Sequence, residues 1–456
     1  MNQEKHERST KDLVRAAVSG WLGTALEFMD FQLYSLGAAL VFHEIFFPEQ
    51  SAAMALILAM GTYGAGYIAR IVGAFIFGKM GDSIGRKKVL FITITMMGIC
   101  TTLIGVLPTY AQIGIFAPVL LVTLRIVQGL GAGAEISGAG TMLAEYAPKG
   151  KRGIISSLVA MGTNCGTLSA TAIWAVMFFA LDREELLAWG WRIPFLASVV
   201  VMIFAIWLRM NLKESPVFEK VNDEENSPAL NNSSENTLGA MFTSKSFWLA
   251  TGLRFGQAGN SGLIQTFLAG YLVQTLLFDK SIPTDALMIS SVLGFITIPL
   301  LGWLSDKFGR RLPYIISAII LAYPMLSIVV DKTYSPGVIM TALIVIHNFA
   351  VLGLFALENI TMAEMFGARN RFTRMAISKE AGGLVAVGFG PVLAGIFCNM
   401  TNSWWPILVM VIAYSLIGLV SALLMPEVKD RDLSALEDAA EVSKADKMRC
   451  SATQTS

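Results

Sequence analysis

Twelve apolar stretches, each about as long as a bilayer is thick, constrain what this chain can fold into. A helix needs about 20 apolar residues to cross the hydrocarbon core, where every backbone polar group must be bonded internally. Of the 456 residues, 54% are hydrophobic and only 15% are charged. The sequence therefore predicts an all-α membrane protein with twelve transmembrane helices. The stretches lie at roughly 16–42, 52–77, 89–109, 117–146, 153–180, 192–211, 247–276, 285–305, 312–331, 336–363, 374–400 and 404–425.

One basic loop motif occurs twice, each time between two apolar stretches. Both copies read G-x3-D-x2-G-R-[KR], and they start 224 residues apart, at Gly78 and Gly302. The sequence Ala-Glu-Tyr at 144–146 is likewise echoed by Ala-Glu-Met at 363–365. Internal repeats of this kind are typical of transporters that rock one bundle of helices against another around a central site. The repeat therefore predicts two six-helix halves related by a pseudo-two-fold axis.

The polar segments between and beyond these halves complete the predicted domain organisation. The two six-helix bundles are expected at 16–212 and 247–426. Residues 213–246 are rich in Asn, Ser and Glu and are predicted to form a flexible linker. An N-terminal segment, 1–15, and a charged tail, 427–456, flank the bundles.

The distribution of Lys and Arg predicts how the chain is oriented. If the N-terminus is cytoplasmic, the inside loops hold the basic residues clustered at 79–88, 149–152, 307–311 and 369–374. The outside loops hold few. Because cytoplasmic loops of membrane proteins carry an excess of Lys and Arg, both termini and the linker are predicted to lie in the cytoplasm.

The composition argues against several other classes of function. A net charge of +1, without a long Lys/Arg run, does not indicate a nucleic-acid partner. The four Cys are scattered, and His6, His43 and His347 are far apart, so neither a metal site nor a catalytic cluster is indicated. A membrane sensor would carry an added soluble domain, and the sequence shows none. The chain is predicted to be neither an enzyme nor a cofactor-binding protein.

Further motifs accompany the doubled loop and carry a family resemblance. They are residues 27–31 with Tyr34, Arg70, residues 125–129 with Glu135, and the segments 191–195 and 214–218. With these motifs the chain resembles the major facilitator superfamily over essentially its whole length, and within it the metabolite:proton symporter family of bacterial inner membranes. Ser83 and Ile71 depart from the pattern, which usually has a basic residue and a Pro there, and these departures concern gating and packing.

The resemblance implies a function as well as a fold. It implies the major facilitator fold, with one chain as the functional unit in the inner membrane, and symport of a small metabolite with protons by alternating access. The family takes up organic acids and also zwitterionic osmolytes such as proline and betaine. The short tail and the Arg residues favour an organic acid anion. Osmolyte uptake is an alternative, as is efflux by antiport. The absence of Pro from helix 5 counts against antiport, but the Gly390-Pro391 pair at the mirror position on helix 11 keeps it open.

Ionisable residues at bilayer depth are the candidate functional residues, because each costs at least ~2.5–3.5 kcal/mol to insert. Asp30 shares one face of helix 1 with Glu27 and Tyr34. The resemblance implies that Asp30 binds the proton and pairs with Arg125 of helix 4, whose release then allows an anionic substrate to bind. The alternative is a structural ion pair between the two helices. The other candidates are Glu27 and Glu135 for proton coupling, and Tyr34 and Gln128 for substrate binding.

A polar stripe on helix 7 adds candidates in the second half. A helix does not present such a stripe to lipid, so we expect it to face a water-filled path or another helix. Arg254 could hold a carboxylate bidentately or serve as a gate near the cytoplasmic end. On helix 10, His347 and Glu358 share a face, although a lone His is more often a packing residue. The stripe consists of Arg254, Ser261 and Gln265, with Gln257 and Asn260 beside it.

The basic loops are predicted to form a charged latch that closes the cytoplasmic side. Each surface ion pair contributes only about 0–1 kcal/mol, but a network of pairs biases a two-state equilibrium. The alternative, that the basic residues only set topology, does not explain the fixed Asp and Gly positions. The latch residues are Gly78, Asp82, Gly85, Arg86, Glu145 and Arg152 in the first half, and Asp306, Gly309, Arg310, Glu364 and Arg371 in the second.

Overall fold

The first half of the chain folds into six long helices. The computed structural model describes residues 9–225, 238–279, 281–320, 326–331 and 333–441. Large apolar side chains such as Val200, Ile203 and Trp207 are exposed on the outside of the bundle, as expected for a surface that faces lipid. The helices are α1 (Thr10–Phe46), α2 (Ala52–Ile84), α3 (Arg86–Val106), α4 (Phe116–Tyr146), α5 (Arg152–Ala180) and α6 (Arg192–Met210).

The second half repeats this arrangement with six further helices. Within the described residues, nine helices of the whole chain are long and apolar enough to cross a membrane. Together with α2, α7 and α9, the last of which is described as two short segments, they are consistent with a twelve-helix major facilitator fold, as predicted. The second-half helices are α7 (Lys245–Ser261, Gly262–Leu268 and Ala269–Gln274), α8 (Ser281–Phe308), α9 (Arg311–Ile320 and Leu326–Val330), α10 (Pro336–Met365), α11 (Ala368–Thr401) and α12 (Trp405–Leu424).

Equivalent helices pack in equivalent ways in the two halves. In the first half α1 packs on α5, and in the second α7 packs on α11. Between the halves, α5 lies against α8 and α2 lies against α11. These two contacts are related by the same pseudo-symmetry, because α2 and α8 each precede a basic loop. Opening one end of the molecule therefore has to separate these two helix pairs.

Glycines allow the close approach of helices between the halves. A Cβ added to Gly302 on α8 would lie 2.7 Å from the carbonyl oxygen of Gly153 on α5. A Cβ on Gly78 of α2 would lie 2.9 Å from the Cα of Thr373 on α11. Small residues let membrane helices approach backbone to backbone, so these contacts hold the halves together beside the basic loops.

Both basic loops reverse direction at a glycine in the left-handed region. Gly85 has φ 107° and Gly309 has φ 94°. A residue with a side chain is strained in this conformation, whereas glycine is not. The turn takes the chain directly from α2 into α3, and from α8 into α9. This geometry accounts for the second Gly of the repeated motif.

The predicted linker is partly helical. Residues 216–225 form the helix Pro216–Glu225, and Leu238–Thr243 is a second short helix. Ser215 caps the first one, since its hydroxyl accepts a hydrogen bond from the Phe218 backbone N–H at 3.2 Å. The expectation of a wholly flexible linker is therefore wrong for these residues. Its Asn- and Ser-rich centre, 226–237, lies outside the described residues, as do 1–8 and 442–456 at the ends.

We expect Gly302→Ala to loosen the end of the molecule that carries the basic loops. The added methyl group meets a backbone oxygen that cannot move aside alone, and such overpacking costs roughly 1–3 kcal/mol. Thiol labelling of a cysteine at the buried position Ala144, in a chain without other cysteines, should then speed up about 5- to 100-fold. Gly270→Ala is the control, because a Cβ there meets no atom within 4 Å. Equal labelling rates in both variants would show that this contact does not hold the halves together.

Candidate functional site: two charged layers between the halves

The Asp of each basic loop binds the start of a helix in the opposite half. We call this end of the molecule, defined by the loops 78–87 and 302–311, the basic end. Asp82 accepts hydrogen bonds from the backbone N–H of Phe372 at 3.1 Å and of Thr373 at 2.8 Å, at the start of α11. Asp306 accepts from Gly153 at 2.7 Å and from Ile154 at 2.9 Å, at the start of α5. Each carboxylate thus satisfies helix N–H groups that have no partner within their own helix.

The Arg of each loop pairs with carboxylates of its own half. Arg86 lies 3.4 Å from Asp82 and 3.5 Å from Glu145. Arg310 lies 2.9 Å from Asp306 and 2.7 Å from Glu364. Both guanidinium groups are buried. The loops therefore hold two acidic groups in place at the interface between the halves.

Two ion pairs between the halves join different residues from those that sequence order suggests, and we call them the exchanged ion pairs. Sequence order groups Glu145 with Arg152 and Glu364 with Arg371. In the structure Arg371 pairs with Glu145 at 2.6 Å, and Arg152 lies 3.6 Å from Glu364. The reason is the helix packing, which puts the start of α11 against α2 and α4, and the start of α5 against α8 and α10. Two ion pairs thus join the halves at the basic end.

Two further acidic residues cap the helices that follow the loops. Glu214 accepts backbone hydrogen bonds from Arg86 at 3.0 Å and from Lys87 at 3.2 Å, at the start of α3. Glu427 does the same at the start of α9, with 2.8 Å to the backbone N–H of Arg310. Burial raises the pKa of the Glu214 carboxyl above its ordinary value, opposed by these hydrogen bonds. Glu214 and Glu427 extend the internal repeat to the segments after α6 and α12.

The described part of the tail covers the basic end. Asp430 accepts a hydrogen bond from the Gly150 backbone N–H at 2.6 Å, and Arg152 donates to the Arg431 carbonyl oxygen at 2.7 Å. Gly150 and Arg152 belong to the first half, whereas the tail follows the last helix of the second. In the second half, Arg371 donates to the Leu433 carbonyl at 2.6 Å. The tail therefore bonds to both halves.

Deeper in the bundle, Asp30 lies in a polar cluster of the first half. It accepts hydrogen bonds from Thr101 of α3 at 2.5 Å and from Gln128 of α4 at 3.1 Å. Arg125 donates to the other end of Gln128 and lies over the Tyr34 ring, 3.9 Å from its centroid. Gln128 thus connects Asp30 with Arg125, which the resemblance pairs directly. All five side chains are buried.

Arg70 joins carboxylates from both halves. Its Nη1 lies 2.6 Å from Glu27 of α1. Its Nε and Nη2 each lie 2.8 Å from Glu380 of α11, in the bidentate geometry that suits a guanidinium and a carboxylate. Arg70 itself is on α2. We call Glu27, Arg70 and Glu380 the acidic triad, because it contains two carboxylates and one guanidinium.

A second group of three charges lies in the second half. Arg254 of α7 lies 3.1 Å from Glu358 of α10, and Lys379 of α11 lies 3.9 Å from the same carboxylate. Lys379 also donates to Asn359 at 2.7 Å. Both cations lie near the Phe355 ring, at 5.5 Å and 5.2 Å from its centroid. We call Arg254, Glu358 and Lys379 the basic triad, because it contains two cations and one carboxylate.

The remaining sequence candidates form pairs around these triads. Glu135 forms a buried ion pair with Arg209 of α6. Gln265 and His347 lie 2.6 Å apart, each within a π-helical turn, Gly262–Leu268 and His347–Gly353. The polar residues of α7 turn towards neighbouring helices, with Gln257 donating to the Val351 carbonyl at 3.0 Å, Asn260 to Ser415 at 3.1 Å, and Ser261 at the end of the α-helical part.

Sequence reasoning missed several members of these groups. Lys379 and Glu380 are adjacent charges inside the apolar stretch 374–400, and that position alone could have identified them. Arg209 falls at the end of its stretch, where a basic residue is usual and carries little information. Thr101 is one of many hydroxyl residues in apolar stretches. Its role depends on the packing of α1 against α3, which the sequence does not show.

Comparison with known proteins identifies the family. A family model described as sugar (and other) transporter matches residues 35–440. The chain belongs to this family, within the major facilitator superfamily. It is 85% identical over 91% of its length to the Escherichia coli (strain K12) protein YdfJ, covering 96% of that protein, whose name describes a transporter without a stated substrate. It is 34% identical, over 91% of its length and 94% of the relative's, to the shikimate transporter of the same organism.

Solved structures agree on the fold. The proton:xylose symporter XylE bound to 6-bromo-6-deoxy-D-glucose superposes with a TM-score of 0.75, covering 94% of this chain and 99% of that one, at 19% identity. An inward-open structure of the xylose transporter XylE from E. coli gives a TM-score of 0.58 at 18% identity, covering 93% and 99%. At this level of identity the comparison shows the fold alone. The resemblance to the major facilitator superfamily is confirmed by the family model together with the relatives.

We expect the exchanged ion pairs to stabilise closure of the basic end. Arg371→Gln and Glu145→Gln should each lengthen the distance between spin labels placed at Lys149 and Lys307, measured by electron paramagnetic resonance. The double variant should open less than the two effects combined, with a coupling energy of about 0.5–3 kcal/mol. Arg311→Gln is the control, because Arg311 donates only within its own half, to the Ala422 and Leu423 carbonyls. Fully additive effects of the two substitutions would contradict a direct pair.

Proposed function

We propose that this transporter is a proton-coupled symporter that takes up a small organic acid anion by alternating access. The observation that carries the proposal is the layer of buried carboxylates and cations between the halves. Groups of this kind are costly inside a membrane and mark the path of ions and charged substrates. Arg254, which is partly buried, and Lys379, which is buried, add two cations beside Glu358, and cations of this kind suit an anionic substrate.

The basic end is the cytoplasmic end in this proposal. The two loops carry six basic residues, as expected of cytoplasmic loops under the positive-inside rule: Lys79, Arg86, Lys87, Lys307, Arg310 and Arg311. Because the number of membrane-spanning helices is even, the two described ends of the chain, Ser9 and Glu441, lie on the same side of the membrane in this proposal. The location that fits is a bacterial inner membrane, since a relative from E. coli, 31% identical over 83% of this chain, is named an inner membrane metabolite transport protein, YhjE.

Alternating access follows from the two charged layers. The exchanged ion pairs and the helix starts held by Asp82 and Asp306 close the cytoplasmic end. All of these contacts join opposite halves, so rocking the halves apart breaks them together. The cost of breaking them is offset by new contacts elsewhere or by the cargo, because a ligand shifts a two-state equilibrium only by binding one state better.

The relatives support an anion as the cargo. The shikimate transporter is a relative at 34% identity, and shikimate is a carboxylate. Arg125 and Arg254 present the planar, permanently charged groups that bind carboxylates best. In this proposal Asp30 takes up the proton, which weakens its hold on Gln128 and thereby changes the surroundings of Arg125.

Uptake of a zwitterionic osmolyte is the second candidate function. Proline/betaine transporters of Salmonella typhimurium (strain LT2) and E. coli are 29% and 28% identical to this chain. A zwitterion carries a cation as well as a carboxylate, and Glu358 lies beside Arg254 where it could meet that cation. The two candidates differ in whether the cargo has a net charge.

Proton movement into proteoliposomes tests the function. The purified protein is reconstituted with a pH-sensitive dye inside, and shikimate, succinate, 2-oxoglutarate, glycine betaine and proline are added outside. We expect acidification of the lumen with a carboxylic acid and not with betaine. Asp30→Asn should lose at least about 90% of the acidification while keeping counterflow exchange, because it removes a carboxyl group through which the proton has to pass and keeps a polar side chain of the same size.

The control is Glu44→Gln, which removes a half-exposed carboxylate that pairs with Arg183 far from the basic end. Acidification with betaine or proline alone would establish the second candidate. Counterflow without acidification, for any of the compounds, would show a uniporter or exchanger and contradict symport.

A further inference from the structure

The acidic triad and the basic triad carry opposite net charges. Glu27, Arg70 and Glu380 sum to −1, with two carboxylates and one guanidinium. Arg254, Glu358 and Lys379 sum to +1, with two cations and one carboxylate. Lys379 and Glu380 are consecutive residues of α11, so one helix connects the two triads. One proton would neutralise the acidic triad, and one small anion with a single negative charge would neutralise the basic triad.

Unsatisfied polar atoms within the triads have the matching chemistry. Glu27 is fully buried, and its Oε2 accepts no hydrogen bond from any residue that the structure describes. In the basic triad, Arg254 Nε and the Nδ2 of the adjoining Asn359 donate none within the same described residues, and Glu358 Oε1, 3.9 Å from Lys379, accepts none. Buried polar groups are normally paired. The acidic triad thus lacks a donor where a proton would sit, and the basic triad offers donors where an acceptor would bind.

The other charges nearby cancel. Glu135 pairs with Arg209, and Asp30 is connected to Arg125 through Gln128. These two groups are neutral overall, so among the described charges deep in the bundle the excess lies in the two triads. The charged groups that face Glu27 and Glu380 are Arg70 (α2), Glu135 (α4) and Lys379 (α11). Behind these groups lie their own partners, which are Tyr67 (α2), Arg209 (α6), Arg254 (α7) and Glu358 (α10), while Asp30 (α1) and Arg125 (α4) form the separate cluster around Gln128.

Of the two triads, the acidic triad is the one whose residues come from both halves. Rocking of the halves therefore divides it. Arg70 and Glu27 belong to α2 and α1 of the first half, and Glu380 belongs to α11 of the second. When α2 and α11 separate at the basic end, Arg70 keeps Glu27 and loses Glu380. A neutral Glu27–Arg70 pair remains, and it no longer favours a proton on Glu27. The hydrogen bonds of Asp30, by contrast, all come from its own half.

We propose that the acidic triad holds the transported proton on Glu27 while the basic triad binds the carboxylate of the substrate, so that each cargo favours the other. The inference rests on the proposed symport and adds where each cargo sits. The anion cancels the +1 of the basic triad, which otherwise opposes a proton on Glu27. On opening, the O–H bond of Glu27 breaks, its electron pair stays on the carboxylate facing Arg70, and the proton passes to water at the basic end. Asp30, three residues along the same face of α1, supplies the proton from the other side.

The proton site is tested without any substrate. Infrared difference spectra of the purified full chain, recorded on acidification, detect the C=O stretch of protonated carboxyl groups. We expect one band to be absent in Glu27→Gln. In Glu380→Gln the same band should titrate at least about one pH unit lower, because the neighbouring negative charge is gone and Glu27 is left with Arg70 alone. Glu44→Gln is the control and should leave this band unchanged. A band that persists in Glu27→Gln, or that titrates equally in Glu380→Gln, overturns the proton site.

Succinate and shikimate, each added in separate titrations, test the coupling. At least one should raise the midpoint of the Glu27 band by about one pH unit in the unsubstituted protein. Lys379→Gln should raise the midpoint before any addition, because it removes the +1, and should abolish the further rise. Lys220→Gln, at an exposed lysine, is the matched control and should behave like the unsubstituted protein. A Glu27 band that neither anion shifts overturns the anion site.

These outcomes are separate from the outcome for symport itself. If no compound acidifies proteoliposomes, symport fails even where the infrared band depends on Glu380. If acidification occurs but the band does not depend on Glu27 or Glu380, symport stands and this assignment of the proton falls.

Discussion

The packing of charged groups inside this transporter depends on the ion pairs that Arg70 makes with carboxylates of both halves. One guanidinium, buried among helices, holds a carboxylate from each half, at 2.6 Å from Glu27 and 2.8 Å from Glu380. Separating either carboxylate from Arg70 in this low-dielectric interior costs far more free energy than breaking the same ion pair in water. Separating the halves around Arg70 therefore carries a high electrostatic cost unless the charge of the acidic triad changes. In the proposed mechanism, this cost couples movement of the halves to movement of a proton.

The layer at the basic end follows a different physical rule. There the carboxylates of Asp82 and Asp306 bind backbone N–H groups at the starts of helices in the opposite half. Such bonds need a short acidic side chain at a fixed place in the last turn of a helix, followed by a turn that only glycine adopts without strain. The spacing of Asp, Gly and Arg in the repeated motif is thus set by geometry, whereas the triads are set by charge.

Much of the fold could be predicted from the sequence, because the lengths of the apolar stretches and the internal repeat can both be read directly from the order of the residues. The twelve helices, their grouping in sixes and the residues of the latch all follow from such local patterns. The partners within the latch do not. Glu145 and Arg152 are close in sequence but bond to Arg371 and Glu364 of the other half, which only the packing of α5 on α8 and of α2 on α11 determines.

The central site shows the same division. Asp30, Arg125 and Gln128 were candidates because each is polar within an apolar stretch, and they do lie together. Glu380 was equally visible by that criterion, yet its importance comes from Arg70, 310 residues away in the chain. Periodicity assigns a residue to a face of its helix. It does not say which helix of the other half that face meets.

The tail has a mechanical consequence. Residues 430–433 leave the second half after α12 and bond to Gly150 and Arg152 of the first, across the plane where the halves part. A segment in this position connects the two halves, and its length limits the angle through which the bundles can rotate relative to each other. Changes in its length or stiffness would alter turnover and leave substrate recognition untouched. Selection can therefore tune the speed of such a carrier at its end, independently of what it carries.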